Sequence, residues 1–209
     1  MADDPPPDPL PDEPTVSDEL EGWLEGDAPK TLGSLIDVFE ERSFAIIFAL
    51  LMALPALPLP TGGATHVLEV ITALLALELI AGRRTIWLPE RFKRFNLGGD
   101  NWRKVITALL KRIRQLERFS RPRGEWLFGG RLSAIVFGLV VLALTVTAFI
   151  APPFSGLDTL PALGVVVLAL GVLLTDYVVA AIGAAVGAIG IVAVVGFGSL
   201  VVKGVKSIF

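Results

Sequence analysis

Apolar positions fall along this chain in two long blocks, Phe44 to Ala81 and Leu132 to Val202, separated by about 50 mostly polar and basic residues. Ahead of the first block, Leu32, Leu35, Ile36 and Phe39 recur at helical spacing, with Asp37, Glu40, Glu41 and Arg42 on the other face. This predicts a short amphipathic helix, capped by Thr31 or Ser34, of the kind that lies along a headgroup layer and leads into a bilayer. Pro55, Pro58 and Pro60, then Gly62 and Gly63, interrupt the first block. Each arm beside that break keeps roughly 12–16 apolar residues, roughly 18–24 Å of helix, which is short for a hydrocarbon core of about 30 Å. The two arms form a re-entrant hairpin, or two spans whose irregular tip reaches the far interface. Unpaired backbone at such a tip must face protein or water.

The second block repeats the design. A gapless shift of 93 residues places Pro60 on Pro153, Gly63 on Gly156, Leu75 on Leu168, Ala76 on Ala169 and Leu77 on Leu170. Each copy reads apolar arm, proline-containing turn with a glycine three residues on, then a second apolar arm. Matched Pro and Gly positions predict an internal duplication, inverted or tandem. Tyr177 to Val202 then runs for 26 residues without a charge, long enough to span. Gly183, Gly187 and Gly190, with Ala180, Ala184 and Ala188, give that helix a face that lets a neighbour approach closely, within the same chain or across a homodimer seam. The predicted fold is an all-α integral membrane protein: two repeated short-helix hairpins with Pro/Gly breaks, a basic amphipathic linker helix and a C-terminal transmembrane helix.

Charge refines the boundaries. Residues 1–30 hold seven of the 15 prolines and ten of the 21 acids, a composition that predicts a disordered acidic tail. Asp3 and Asp4 directly after Met1 do not match the basic start of a secretory signal. Residues 31–209 form a single membrane domain: amphipathic helix and first hairpin over 31–82, basic segment over 83–131, second hairpin over 132–176, last helix over 177–209. The basic segment carries fourteen Lys and Arg against four acids and is therefore expected in the cytoplasm. Within it Val105, Leu109, Ile113 and Leu116 make a helical stripe, while Lys104, Lys111, Arg112, Arg114 and Arg118 cover the rest and Trp102, Phe119 and Trp126 take interfacial positions. That pattern predicts a helix on the inner leaflet, attracted to anionic lipids. A nucleic-acid partner is not required by it. The C-terminus is expected outside by the number of crossings, or inside by the pull of Lys203 and Lys206.

No cysteine and a single histidine remain for chemistry, which excludes disulfide frameworks and Cys/His metal cages. Polar residues inside apolar blocks are costly and so are candidate functional groups. Thr65, His66 and Glu69 cluster just after the first break. Glu78 lies nine residues beyond Glu69 and so on the opposite face. Arg83 and Arg84 suit the end of that helix and the inner headgroups. Asp158 and Asp176 are expected to cap the helices that follow them.

The run Pro55-Ala-Leu-Pro58-Leu-Pro60, then Gly82-Arg83-Arg84 with Trp87-Leu88-Pro89, Leu116-Glu117-Arg118, Arg121-Pro122-Arg123 with Trp126, and Pro152-Pro153 before Leu160-Pro161-Ala162 resemble the ExoD family of bacterial exopolysaccharide-synthesis membrane proteins. The likeness extends from about Thr31 to the C-terminus. It implies a multi-pass inner-membrane protein engaged in exopolysaccharide synthesis or export, without enzymatic activity, cofactor or metal. Three readings stay open on the residues alone: a transporter-like bundle taking a polysaccharide, a lipid-linked precursor or an ion; a non-catalytic scaffold of a polysaccharide assembly; and, least favoured, an intramembrane enzyme, for which Glu69 with His66 is the only plausible catalytic pair.

Overall fold

The computed structural model describes residues 14–39, 42–57, 64–83, 85–87, 89–118, 130–152 and 155–208. Those residues are helical throughout, joined by turns, with no strand and one isolated antiparallel bridge between Thr31 and Asn96. The helices are α1 (Val16–Glu25), α2 (Leu32–Phe39), α3 (Ser43–Ala53), α4 (Ala64–Ile80), α5 (Glu90–Lys93), α6 (Asp100–Glu117), α7 (Arg131–Ile150), α8 (Thr159–Leu173) and α9 (Tyr177–Ile208). They form two layers. An apolar bundle contains α3, α4, α7, α8 and α9, and a polar cap of α1, α2, α5 and α6 gathers at the start of α3.

Helix α3 sits at the centre of the bundle. Ser43 to Met52 are buried without interruption, as expected of a helix that is hydrophobic all round. The hairpins interlock around it: α3 packs chiefly against α8, and α4 against α7, rather than each arm against its own mate. The His66 ring meets Phe149 edge-on at 5.1 Å, while Gly138 abuts Ala76 and Ile80. Helices α4 and α7 are therefore antiparallel, with His66 and Phe149 at the end of the bundle away from the cap. The central residues of both breaks, 58–63 and 153–154, lie outside the described residues.

Helices α8 and α9 form the closest pair. A Cβ on Gly183 would stand 2.2 Å from the Leu168 backbone nitrogen, one on Gly164 2.5 Å from the Gly187 Cα, and one on Gly190 2.6 Å from Pro161. All belong to one antiparallel register. The small-residue face read from the sequence thus packs within the chain, and α9 runs from the cap end to the far end of the bundle. At the α8–α9 turn Thr175 adopts a left-handed φ of 51°, and Asp176 Oδ1 accepts from the Val178 amide at 2.9 Å. Asp176 is the expected cap.

The outer surface of the bundle is aliphatic. Val67, Val70, Leu74 and Leu77 on α4, Leu132, Val136, Leu139 and Ile150 on α7, and Ile182, Ile189, Val192 and Val195 on α9 are each 45–75% exposed. Two described helices are long and apolar enough to cross a membrane, Arg131–Ile150 and the Tyr177–Ser199 part of α9. Of the shared pairs, Leu75 and Leu168, and Ala76 and Ala169, are all buried, whereas Leu77 is exposed and Leu170 is not. Helix α9 packs on α8 and has no counterpart on α4.

Three sequence expectations change at the cap. The acidic tail ends earlier than residue 30, because residues 16–25 form a helix with Val16, Leu20 and Trp23 buried at i, i+4 and i+7. Thr15 opens it with a capping box: the Thr15 hydroxyl accepts from the Asp18 amide at 3.3 Å and the Thr15 amide donates to the Asp18 carboxylate at 3.1 Å. The Thr15 hydroxyl, which donates to Asp18 Oδ2 at 2.8 Å, and then the Thr15 amide hold the Asp18 carboxyl below its ordinary value, so the box is intact at neutral pH and opens as pH falls through that lowered value. Second, α2 rests on protein rather than a headgroup layer, with Leu32, Leu35 and Phe39 buried. Its start combines both candidate caps, since the Ser34 amide donates to Thr31 Oγ1 and the Thr31 amide to Ser34 Oγ, each at 3.2 Å. Third, the apolar stripe of α6 is rotated from the expected one. Ile106, Leu109, Leu110 and Ile113 are buried where α6 meets α1 and α3, while Val105 and Leu116 only flank that core. Trp102 stacks edge-on against Phe95 at 5.7 Å; Phe119 and Trp126 lie outside the described residues.

Helix α1 is fastened to α6 by polar bonds. Glu117 accepts from the Ser17 amide at 3.0 Å and from the Ser17 hydroxyl at 2.5 Å, and Arg114 pairs with Glu21. Glu117→Ala leaves the Ser17 amide unpaired and the Ser17 hydroxyl with Thr15 Oγ1 alone, 3.0 Å away, at a cost of about 1–3 kcal/mol. We expect hydrogen exchange of the α1 amides to accelerate accordingly, while exchange in α3 stays at the parental rate.

Candidate functional site

Glu69 is the most costly residue in the bundle. It lies on α4, five residues into the helix, with 0% of its surface exposed. A buried carboxylate costs several kcal/mol unless something compensates it. His66, one turn earlier on the same face, places Nδ1 2.7 Å from Glu69 Oε2. The other oxygen, Oε1, is buried and has no hydrogen-bond partner among the described residues.

The neighbouring helix brings a second orphan to the same level. Thr145 on α7 is 1% exposed, and its Oγ1 is likewise buried without a partner. With His66 opposite Phe149, Glu69 lies one turn inward along α4 and Thr145 one turn inward along α7. Two adjacent hydroxyls are satisfied by their own helices: Thr72 donates to the Leu68 carbonyl and Thr147 to the Ala143 carbonyl, each at 2.8 Å. Thr65 is buried at the start of α4. Asp158, just before α8, stands near enough for its charge to act on Glu69. It occupies the N-cap position of α8 but makes no capping bond, so the capping role expected for it is not observed.

The arrangement draws together His66, Glu69 and Asp158 from the sequence candidates and adds Thr145. The hydroxyl at position 145 gave no signal in the sequence, because a threonine in an apolar helix ordinarily bonds its own backbone, as Thr147 does. Ser43 carries a third unpartnered hydroxyl, but it lies at the start of α3, at the cap end. Among the described residues no three His, Asp or Glu side chains converge closely enough to hold a metal ion.

The other candidates belong elsewhere. Glu78 is half-buried at the cap end of α4, where its Oε2 accepts from the Trp87 amide at 3.0 Å and so ties down the loop after the helix. Gly82 ends that helix in the left-handed region at φ 87°. Arg83 lies over the Trp87 ring at 5.9 Å, a cation–π contact within the loop after α4. Arg84 lies outside the described residues. Gly183 and Gly190 form the α8–α9 seam, and Gly187, which meets Gly164 there, turns its Cβ position toward Leu144 of α7.

Comparison with known proteins gives the frame for this cluster. The chain is 28% identical over 140 residues to the uncharacterized protein slr1875 of Synechocystis sp., which covers 67% of this chain and 65% of that protein. It is 27% identical over 170 residues to Protein ExoD of Rhizobium meliloti, covering 78% of this chain and 68% of that protein. The chain thus spans about two thirds of the length of these relatives. No solved structure matches it. The family model described as "Exopolysaccharide synthesis, ExoD" matches residues 16–196, from the first turn of α1 to within α9. By that match the chain belongs to the ExoD family.

Proposed function

We propose that this chain is a multi-pass protein of the bacterial inner membrane that serves exopolysaccharide synthesis or export as a transporter-like bundle, with its working site at Glu69 between the two hairpins. The observation that carries the reading is the inverted polarity of the bundle: aliphatic side chains line the outside of α4, α7 and α9, while the centre holds a buried carboxyl with one oxygen unpartnered. Contiguous apolar surface of that extent is foreign to a soluble monomer and natural in lipid. An ionisable group kept inside such a bundle is a functional group by default.

Topology follows from charge. The cap, with its Lys and Arg residues, lies in the cytoplasm, and the breaks lie toward the periplasm. Since the apolar stripe of α6 is covered by protein, its bases Arg103, Lys104, Lys111 and Arg112 meet anionic lipid by charge alone. The hairpins are tandem copies: exchanging α3 with α7 and α4 with α8 returns the same pattern of packing partners, and both first arms start at the cap. The alternative is a non-catalytic scaffold, favoured by the cap's own packed core and by the absence among the described residues of any cluster fit for a metal.

Single cysteines at Gln115 and Ser155 test the topology. An impermeant thiol reagent added to intact cells is expected to label Ser155→Cys and spare Gln115→Cys. The reverse pattern overturns the orientation. Exopolysaccharide output separates the two mechanisms: loss with Glu69→Gln, at parental protein level in the membrane, supports the transporter-like reading, and parental output supports the scaffold.

A further inference from the structure

We propose that Glu69 is a proton-binding site, loaded and unloaded through His66, with Thr145 completing the protonated state. The inference deepens the transporter-like reading and rests on the bundle residing in a bilayer.

The geometry is that of a relay with one wet end. The His66 side chain is 32% exposed and Glu69 is fully buried, so the imidazole is the contact between the carboxyl and the outside. Its Nδ1 lies 2.7 Å from Oε2, within proton-transfer distance. In the loading step imidazolium Nδ1–H gives its proton to Oε2: the N–H bond breaks, the O–H bond forms, and an ion pair becomes two neutral groups. The neutral imidazole keeps its proton on Nε2, and Nδ1 recovers one from water once the ring turns that nitrogen to the exposed side. The neutral acid has a donor to satisfy, and the neighbouring buried oxygen at its level without a partner is Thr145 Oγ1.

A proton fits this site better than a metal cation does. Calcium takes six to eight oxygens and magnesium a near-ideal octahedron. Here two oxygens are unpartnered, and among the described residues no three carboxylate or imidazole groups converge. No Lys or Arg forms an ion pair with Glu69 among the described residues; its one ion pair is with His66. The titratable groups facing Glu69 are His66 on its own helix and Asp158 before α8. Helix α3 carries none, α7 carries only Arg131 at its cap end, and Phe149 of α7 meets the His66 ring.

The test is infrared titration of the full chain reconstituted in phosphatidylglycerol and phosphatidylethanolamine vesicles. A protonated-carboxyl C=O band is expected to grow as pH falls, to vanish in Glu69→Gln and to shift in Thr145→Val, where the hydroxyl partner is gone. In His66→Gln, deuterium exchange at that carboxyl is expected to slow on the order of a hundredfold, the lower end of what a positioned acid or base supplies. No such band at any pH overturns the proposal, and so does its loss on adding sodium at constant pH, which would mark an alkali-cation site. Parental exchange in His66→Gln overturns the route. Should Glu69→Gln not accumulate, Glu69→Asp and Thr145→Val carry the assignment, and an unshifted band in both overturns it. A chain that does not enter vesicles refutes the bilayer reading instead, so the two failures are told apart.

Discussion

Gly183→Leu is expected to prevent stable assembly of the bundle, with loss of the folded protein from membranes and a cost of about 3 kcal/mol or more. Overpacking a core that can yield costs about 1–3 kcal/mol. Here even the Cβ meets the α8 backbone, 2.2 Å from the Leu168 nitrogen and 2.6 Å from its Cα. Backbone atoms inside a helix cannot swing aside as a side chain can, so α9 must lift away along its length. Gly196→Leu is the control. A Cβ there meets nothing within 4 Å, and the same leucine on the same helix is expected to leave thermal unfolding in detergent unchanged. Equal behaviour of the two variants would show that the α8–α9 seam does not hold the bundle.

The second large effect is expected at the centre. Phe48 on α3 is fully buried and packs edge-on against Phe137 of α7, with ring centroids 5.7 Å apart. Phe48→Ala removes that contact and leaves a void in a helix with no free side, at a cost of about 3–5 kcal/mol. Leu74→Ala on the outer face of α4, where the leucine is 58% exposed, is expected to change stability by no more than about 0.5 kcal/mol. Unfolding midpoints of the two variants side by side decide it. A destabilisation by Leu74→Ala equal to that of Phe48→Ala would mean that another surface covers α4.

Much of this architecture was legible in the residues, and the failures have physical causes. The apolar arms could be read because helix-forming residues run without charge between Pro/Gly breaks, and the seam because Gly183, Gly187 and Gly190 share a face. Helix α1 escaped notice because prolines and acids were averaged over residues 1–30, although no proline lies between Thr15 and Ala28 and Val16, Leu20 and Trp23 already had helical spacing. The α6 stripe was read one residue out of phase, as Val105 rather than Ile106, because both residues are aliphatic and only the docking of α1 and α3 chooses between them. At the candidate site, His66 and Glu69 were visible as polar residues three apart in an apolar helix. Thr145 was not, since its place at the level of Glu69 is set by the register of α4 on α7, a tertiary fact with no local trace. Asp158 looked like a cap because Asp commonly is one, yet its backbone is already in the helical region, which turns the carboxylate away from the amides an extended cap would reach.

The interlocking of the hairpins has a consequence for biosynthesis. Since α3 finds its main neighbour in α8 rather than in α4, the first hairpin leaves the ribosome without the surface that buries it. More than a hundred residues separate Met52 from Leu168, so at about 5–20 residues per second α3 waits on the order of ten seconds for α8 to be made. During that interval the chain holds a carboxyl at Glu69 with only His66 beside it and an incomplete core, and the amphipathic α6, made in between, is available to shield α3 at the cap end. Assembly is therefore late and all at once, completed when the final helices arrive. A nascent chain cut short before α8 is left with a half-built hairpin that has nothing to close upon.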